Sequence, residues 1–195
     1  MLAPTHVAFS ILCTSTILQT VNPLILSIAG ATSLLPDIDH TQSIYGRIFY
    51  PISKQINEKF GHRTITHSWI AVLIILAISS IFWIFAPMCA YAIFCGYIFG
   101  ILGDMFTKNG VNFLFPAKVS IIIFRNPSLR FKTGSISEFI LLIVIFFTTI
   151  GVFNLHTQGG LIRIYEQSVG KESSAINYFN NHFNEYIINA RVEGF

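Results

Sequence analysis

Apolar residues in this chain run in long blocks separated by short polar punctuation, and the block lengths predict the architecture. Residues 68–86, 88–106 and 137–155 each approach the roughly 20 apolar residues that carry a helix across a bilayer core. Ahead of them, 6–21 and 24–35 are shorter and separated only by Asn22-Pro23, a pattern expected of a tight helical hairpin or a re-entrant pair. The stretch 111–124 is apolar but broken by Pro116 and Lys118, which predicts an interfacial or re-entrant segment. Further on, Ile176, Phe179, Phe183 and Ile187 recur at helical spacing and predict an amphipathic helix. The expected fold is all-α: a polytopic helical membrane protein with about five membrane-embedded helices. Its membrane-embedded domain covers 1–155 and a helical tail covers 156–195.

Composition supports the membrane assignment. Hydrophobic residues fill 53% of the 195 positions and charged residues only 11%, against about a quarter charged in a soluble domain. Cys13, Cys89 and Cys95 all lie in apolar runs and read as buried small hydrophobes, not as a disulfide framework or a cysteine-zinc site. The net charge of +3 includes no basic run of the kind that binds nucleic acid, so no nucleic-acid partner is expected. The first apolar stretch has no preceding Lys or Arg and no evident cleavage site, so it reads as retained.

Loop charge gives an orientation. Arg47, Lys54, Lys59 and Arg63 lie between His40 and Ser68, and Lys108, Lys118, Arg125, Arg130 and Lys132 between Thr107 and Ser137. The turn at Pro87 has no charge. By the positive-inside rule both basic loops are cytoplasmic and the Pro87 turn is outside. That topology gathers seven chemically capable side chains at one interface: His6, Asp37, Asp39, His40, His62, His67 and Asp104. Imidazole nitrogen and carboxylate oxygen are ligands that zinc and manganese accept, so these residues are candidate metal ligands.

Each motif also has a plainer reading. Pro36-Asp37-Ile38-Asp39-His40 can converge on an ion in an unwound turn, or it can be an ordinary polar helix end facing water. His62 and His67 are too far apart to align on one helix; Thr64 or Thr66 is the expected N-cap, leaving His62 in the loop and His67 in the first turn. Arg63 suits a carboxylate or a substrate phosphate, or equally a lipid headgroup. Asp104 at the end of an apolar helix is costly unless paired or functional, and Lys108 one turn on offers a simple pair. Gly96, Gly100 and Gly103 predict close helix packing that brings Asp104 near a second helix.

Taken in order, Thr5-His6, Leu35-Pro36-Asp37-Ile38-Asp39-His40, Gly61-His62-Arg63-Thr64-Ile65-Thr66-His67-Ser68, and Asp104 with Thr107, Gly110 and Pro116 resemble the YdjM-like membrane-bound metal-dependent hydrolases. The resemblance spans roughly residues 1–116. That family is distantly similar to zinc-dependent phospholipase C and the S1/P1 nucleases. The resemblance implies His6, Asp37, Asp39, His40, His62, His67 and Asp104 as ligands for one or two divalent ions, zinc before manganese. The chain lacks the N-terminal Trp ligand of the soluble enzymes and any evident His-x-x-x-Glu pair, which speaks against a full trinuclear site.

The expected activity is metal-dependent hydrolysis of a phosphoester or phospholipid-like substrate at the cytoplasmic face of the inner membrane. Asp39 would be the general base and Arg63 would steady the anionic substrate. The alternative is a non-enzymatic metal-binding scaffold or a transporter subunit. A transporter places its ionisable groups near the bilayer midplane, and no His-Glu-x-x-His occurs to suggest zinc proteolysis.

Overall fold

Proline and short polar caps decide where the helices begin. In the computed structural model, which describes residues 1–157 apart from Lys118 and the side chain of Leu129, seven α-helices are seen: α1 Ala3–Leu18, α2 Pro23–Thr32, α3 Ile44–Ile48, α4 Tyr50–Phe60, α5 Trp69–Trp83, α6 Pro87–Met105 and α7 Ile136–Thr157. Proline sits in the first turn of α1, α2, α4 and α6, where its missing N–H costs nothing and its fixed φ is already helical. The Asn22 side chain accepts from Leu24 N at 2.9 Å to cap α2. No strand forms among the described residues; Thr107 with Phe131 and Val111 with Ile121 make isolated bridges. Met1–Phe153 makes one compact unit, and the chain from Asn154 groups separately. The expected tail helix with Ile176 to Ile187 lies outside the described residues.

Each of the five apolar blocks carries a helix, but the helices differ in reach. Only α6, with 19 residues, and α7, with 22, are long and apolar enough among the described residues to cross a membrane. At 1.5 Å per residue, α1 and α5 reach only about 24 and 23 Å, and α2 about 15 Å, against a core of roughly 30 Å. The span expected at 68–86 closes early because Ala86 precedes Pro87, and a residue before proline is pushed out of the helical region. Outward faces of α5 and α7 are mostly apolar: Leu73, Ile74, Ile81, Phe139, Phe146 and Phe147 are all exposed, with small polar residues such as Ser80 and Thr148 among them. A polar solvent would penalise that surface, whereas hydrocarbon would not.

Helix α6 is the central post, packed against α1, α2 and α5. Its glycines make this packing tight. A Cβ at Gly96 would stand 2.4 Å from Ala29 O, and one at Gly100 would stand 2.3 Å from Ser33 O. Gly103 faces α1 instead, where a Cβ would come within 3.7 Å of His6 Nδ1. The predicted small-residue face therefore docks two helices, not one. Ser10 Oγ, donating to Ala29 O at 3.1 Å, ties α1 to α2 in the same layer. The stretch 111–124 is not helical. It folds back on the bundle, with Val111 in the core beside Tyr97, Ile101 and Met105, and Phe113 O accepting from Trp69 N at 2.9 Å.

Replacing Gly100 by valine should lower the melting temperature in detergent by several degrees, in line with the roughly 1–3 kcal/mol of an overpacked core. Gly151→Ala, inside α7 where a Cβ would meet open space, should leave it unchanged or raise it, since alanine favours the helix. Equal melting of both variants would show that the α2–α6 crossing is not close in solution.

Candidate metal centre

Four backbone elements deliver the ligand candidates to one end of the bundle. His6 lies in the first turns of α1, and Asp37 and Asp39 in a 3₁₀ turn, Leu35–Asp39, that follows α2. His67 closes a second 3₁₀ turn, Ile65–His67, and Asp104 occupies the last turn of α6. The expected cap at Thr64 or Thr66 is corrected: Ser68 caps α5, accepting from Ala71 N, so His67 sits before the helix and not in its first turn. Thr66 is thereby released to turn inward.

Asp104 is fully buried and collects the most partners. Its Oδ1 accepts from Arg63 Nη2 at 2.8 Å and lies against the Met1 amino nitrogen, while Oδ2 is 3.2 Å from His67 Nε2. Lys108 is exposed and does not pair with it. His6 Nε2 stands 3.4 Å from Asp104 Oδ1 and 3.6 Å from Asp37 Oδ2. Yet both ring nitrogens of His6, in a side chain 1% exposed, lack a hydrogen-bond partner. A buried imidazole left unsatisfied costs free energy on the order of 1–3 kcal/mol. A cation between that nitrogen and the two carboxylates would remove the cost.

Asp39 is buried too, but its oxygens are already engaged. Oδ1 lies 2.7 Å from His62 Nδ1, and Oδ2 accepts from Arg63 N and Thr66 Oγ1, each at 2.7 Å. Burial alone would raise the Asp39 carboxyl, but the imidazoles of His62 and His67 outweigh it and hold the group below the usual carboxylate range. Thr66 has one hydroxyl proton, and it goes to Asp39. The 3.0 Å contact between Thr66 Oγ1 and His67 Nδ1 must then be donated by the imidazole. His67 Nε2 is left facing Asp104 and, at 3.8 Å, Asp37. That position needs a proton or a metal cation. With a proton there, burial pulls the His67 pKa down, but Asp104 and Asp39 reverse this and push it up to about 9.

Two overlapping sets have the spacing to hold an ion: His6, Asp37 and Asp104, and Asp37, Asp39 and His62, with all offered atoms of each set within 4.8 Å of one another. Asp37 belongs to both. The residues fit divalent metal chemistry on two further counts. Three carboxylates share one end of the bundle with a single guanidinium and a single amino group, each of which contacts only Asp104 of the three, and the other nitrogens available are imidazoles. His40 is drawn in less closely. Its ring packs against His62 at a tilt of 56° with centroids 4.9 Å apart, and it lines a cavity of about 490 Å³ with Asp37, His62 and Arg63.

Arg63 is placed differently from a free substrate clamp. Nη1 donates to Thr107 Oγ1 at 2.9 Å, Nη2 to Asp104, and the backbone N–H to Asp39. Its φ of 61° puts a non-glycine residue in the left-handed region, a cost accepted where surroundings over-determine the conformation. Sequence reasoning gave Thr66 only a capping role and did not single out Tyr97 or Glu138. Tyr97 donates to Thr66 O, and Glu138 accepts from Leu2 N at 2.6 Å and Gly134 N at 2.7 Å. A buried glutamate in an apolar span was the available signal for Glu138; the other two carry none.

A sequence profile described as YdjM inner membrane protein matches residues 1–166. The Escherichia coli inner membrane protein YdjM is 30% identical over 199 aligned residues, covering 95% of this chain and all of that protein, and its Shigella flexneri counterpart matches equally. The Bacillus subtilis protein YvsG is 39% identical over 118 residues, 60% of this chain and 71% of its own length. No solved structure matches the chain significantly.

The shared carboxylate predicts an uneven loss of metal. Measured by elemental analysis of purified protein, His6→Ala and His62→Ala should each remove part of the bound metal, and Asp37→Ala all of it. Equal metal content in all three variants would remove Asp37 from the site. Thr66→Val, which leaves Asp39 and His67 in place but unsupported, should weaken metal binding by about 10–100-fold.

Proposed function

For a chain that belongs to the YdjM family of inner membrane proteins, we propose metal-dependent hydrolysis of a phosphoester, with one or two divalent ions, zinc before manganese, held at the membrane interface. The observation that carries this is the buried, unpartnered His6 imidazole facing Asp37 and Asp104. When bound, such a metal supplies Lewis acidity and a water acidic enough to attack near neutral pH.

The chain's own residues divide the remaining work. His6, Asp37, His67 and Asp104 hold the buried position, and His62 with Asp37 the outer one. Asp39 has three donors on its two oxygens, and in this reading it orients His62 and His67 as well as serving as a ligand. That leaves Asp37, 16% exposed at the cavity wall, as the carboxylate shared by both positions and open to the side from which substrate would enter. Arg63 positions Asp104 and the turn at Asp39. The likeness to phospholipase C and the S1/P1 nucleases rests on this His and Asp chemistry alone.

The cytoplasmic, multi-pass placement belongs to the same reading and is supported by loop charge. Arg63 is turned inward against Asp104 and drops out of the count, yet Arg47, Lys54 and Lys59 remain exposed between α3 and the close of α4. Four of the apolar helices have an end at the site: α1 and α5 start there, and α2 and α6 return to it. A cluster at one end of the bundle suits catalysis at an interface better than a transport path through the midplane.

Hydrolysis of phospholipids and generic phosphoesters by purified protein should require divalent metal, stop with chelator, and return on adding zinc or manganese. Asp37→Asn should abolish turnover together with bound metal, because it weakens the ligand that both positions share. Stoichiometric metal with no turnover on any phosphoester would leave the protein a metal-binding scaffold.

A further inference from the structure

Helix α4 is amphipathic in an unusual sense, because its polar line faces the protein and its apolar line faces out. Ser53 is fully buried, and Asn57 Nδ2 donates to Asp39 O at 2.8 Å, so this polar line braces the candidate site. The adjoining stripe holds Phe49, Ile52, Ile56 and Phe60, at i, i+3, i+7 and i+11. Phe49, Ile52 and Phe60 are 43%, 52% and 42% exposed, and Ile44 and Ile48 on α3 are 53% and 64% exposed. Phe60 meets Phe115 edge to face with centroids 6.0 Å apart, and Ile56 is half-buried; the rest of the strip stays exposed among the described residues.

Its charge identifies the occupant. From α3 through α4 the charged residues are Arg47, Lys54 and Lys59 against Glu58 alone, and Glu58 already lies 3.9 Å from Lys54. An exposed apolar stripe flanked by excess cations is the pattern of a helix lying in the headgroup layer of an anionic membrane. The bilayer is also the one partner that a member of an inner membrane family always has beside it. The strip leads to the candidate site: Ile44 and Arg47 both line the 490 Å³ cavity that Asp37 and His62 also line. Apolar Leu2 and Leu34 share that wall. The cavity thus has a cationic, polar side and an oily side. Arg47 meets no carboxylate among the described residues, unlike Arg63, which is committed to Asp104.

We infer that α3–α4 is a lipid-docking surface that lies in an anionic leaflet and leads the headgroup phosphate of a membrane phospholipid past Arg47 into the cavity. The docking half stands on exposure and charge alone. The delivery half rests on the hydrolase reading.

The full-length protein is placed in nanodiscs of phosphatidylcholine, with and without phosphatidylglycerol, after Cys13, Cys89 and Cys95 are changed to alanine. A bimane probe is attached in turn at Ile48→Cys, Ile52→Cys and Glu58→Cys. At positions 48 and 52, nitroxide-labelled lipid should quench several-fold more than at 58, aqueous iodide several-fold less, and phosphatidylglycerol should strengthen the contrast. Quenching by iodide at all three positions alike overturns the docking. Shielding from both quenchers would mean that protein covers the strip, and overturns it too. The measurement needs neither metal nor turnover, so it is independent of the hydrolase reading.

Delivery is read by a split in turnover. The pair Ile48→Ser with Ile52→Ser should lower hydrolysis of bilayer phospholipid several-fold while sparing a soluble short-chain phosphoester and metal content. Equal loss on both substrates, or on neither, overturns delivery. Absence of turnover on every phosphoester removes it together with the hydrolase reading and leaves docking to the quenching result.

Discussion

The carboxylate of Asp104 is the constraint on which the rest of the site turns. It sits fully buried at the end of an apolar helix, where an isolated charge is untenable. Every nearby element contributes something to make it tenable: α1 brings His6, the loop before α5 brings Arg63 and His67, and Thr107 supports the guanidinium that reaches it. Glycines on α6 let those elements come close enough. The core of this protein is therefore organised around a charge, with apolar packing arranged so that the charge can be surrounded.

That arrangement explains why Asp37 and Asp39, two residues apart in one turn, have different surroundings. The 3₁₀ geometry of Leu35–Asp39 points both toward the centre, but at different depths. Asp39 meets backbone and hydroxyl donors from the Arg63–Thr66 stretch and is saturated. Asp37 meets mainly imidazoles at 3.6 to 3.8 Å, a spacing too long for hydrogen bonds and suitable for a shared cation. An orienting carboxylate behind a histidine, and a ligating carboxylate in front of it, is the division of labour that metal sites commonly show.

Much of this was legible in the sequence because it follows from periodicity and motif order. Apolar blocks gave five helices, and the Gly96, Gly100 and Gly103 spacing gave a close crossing. The gathering of His6, Asp37, His62, His67 and Asp104 at one end followed from threading alone. What was not legible depended on three-dimensional neighbours. A threonine between two site residues looks like a cap, and only the fold shows that Ser68 caps α5 and frees Thr66 for Asp39. Arg63 looked available to substrate until its fork was seen closed on Asp104 and Thr107. Helix α4 read as a polar loop by charge, since its apolar residues are spaced by three and four among Lys54, Gln55, Asn57, Glu58 and Lys59. Span length misled where proline at 87 cut α5 short.

The pairing of the Met1 end with Asp104, 103 positions along the chain, bears on how the molecule is made. A site closed by contacts so distant in sequence cannot form while only the first hairpin has been synthesised. Until α6 is made, His6 and the Asp37 turn lack the carboxylate that completes the cluster. A metal held in the way proposed would therefore be acquired only once α6 is complete, and before that the chain would offer separate, weak ligands.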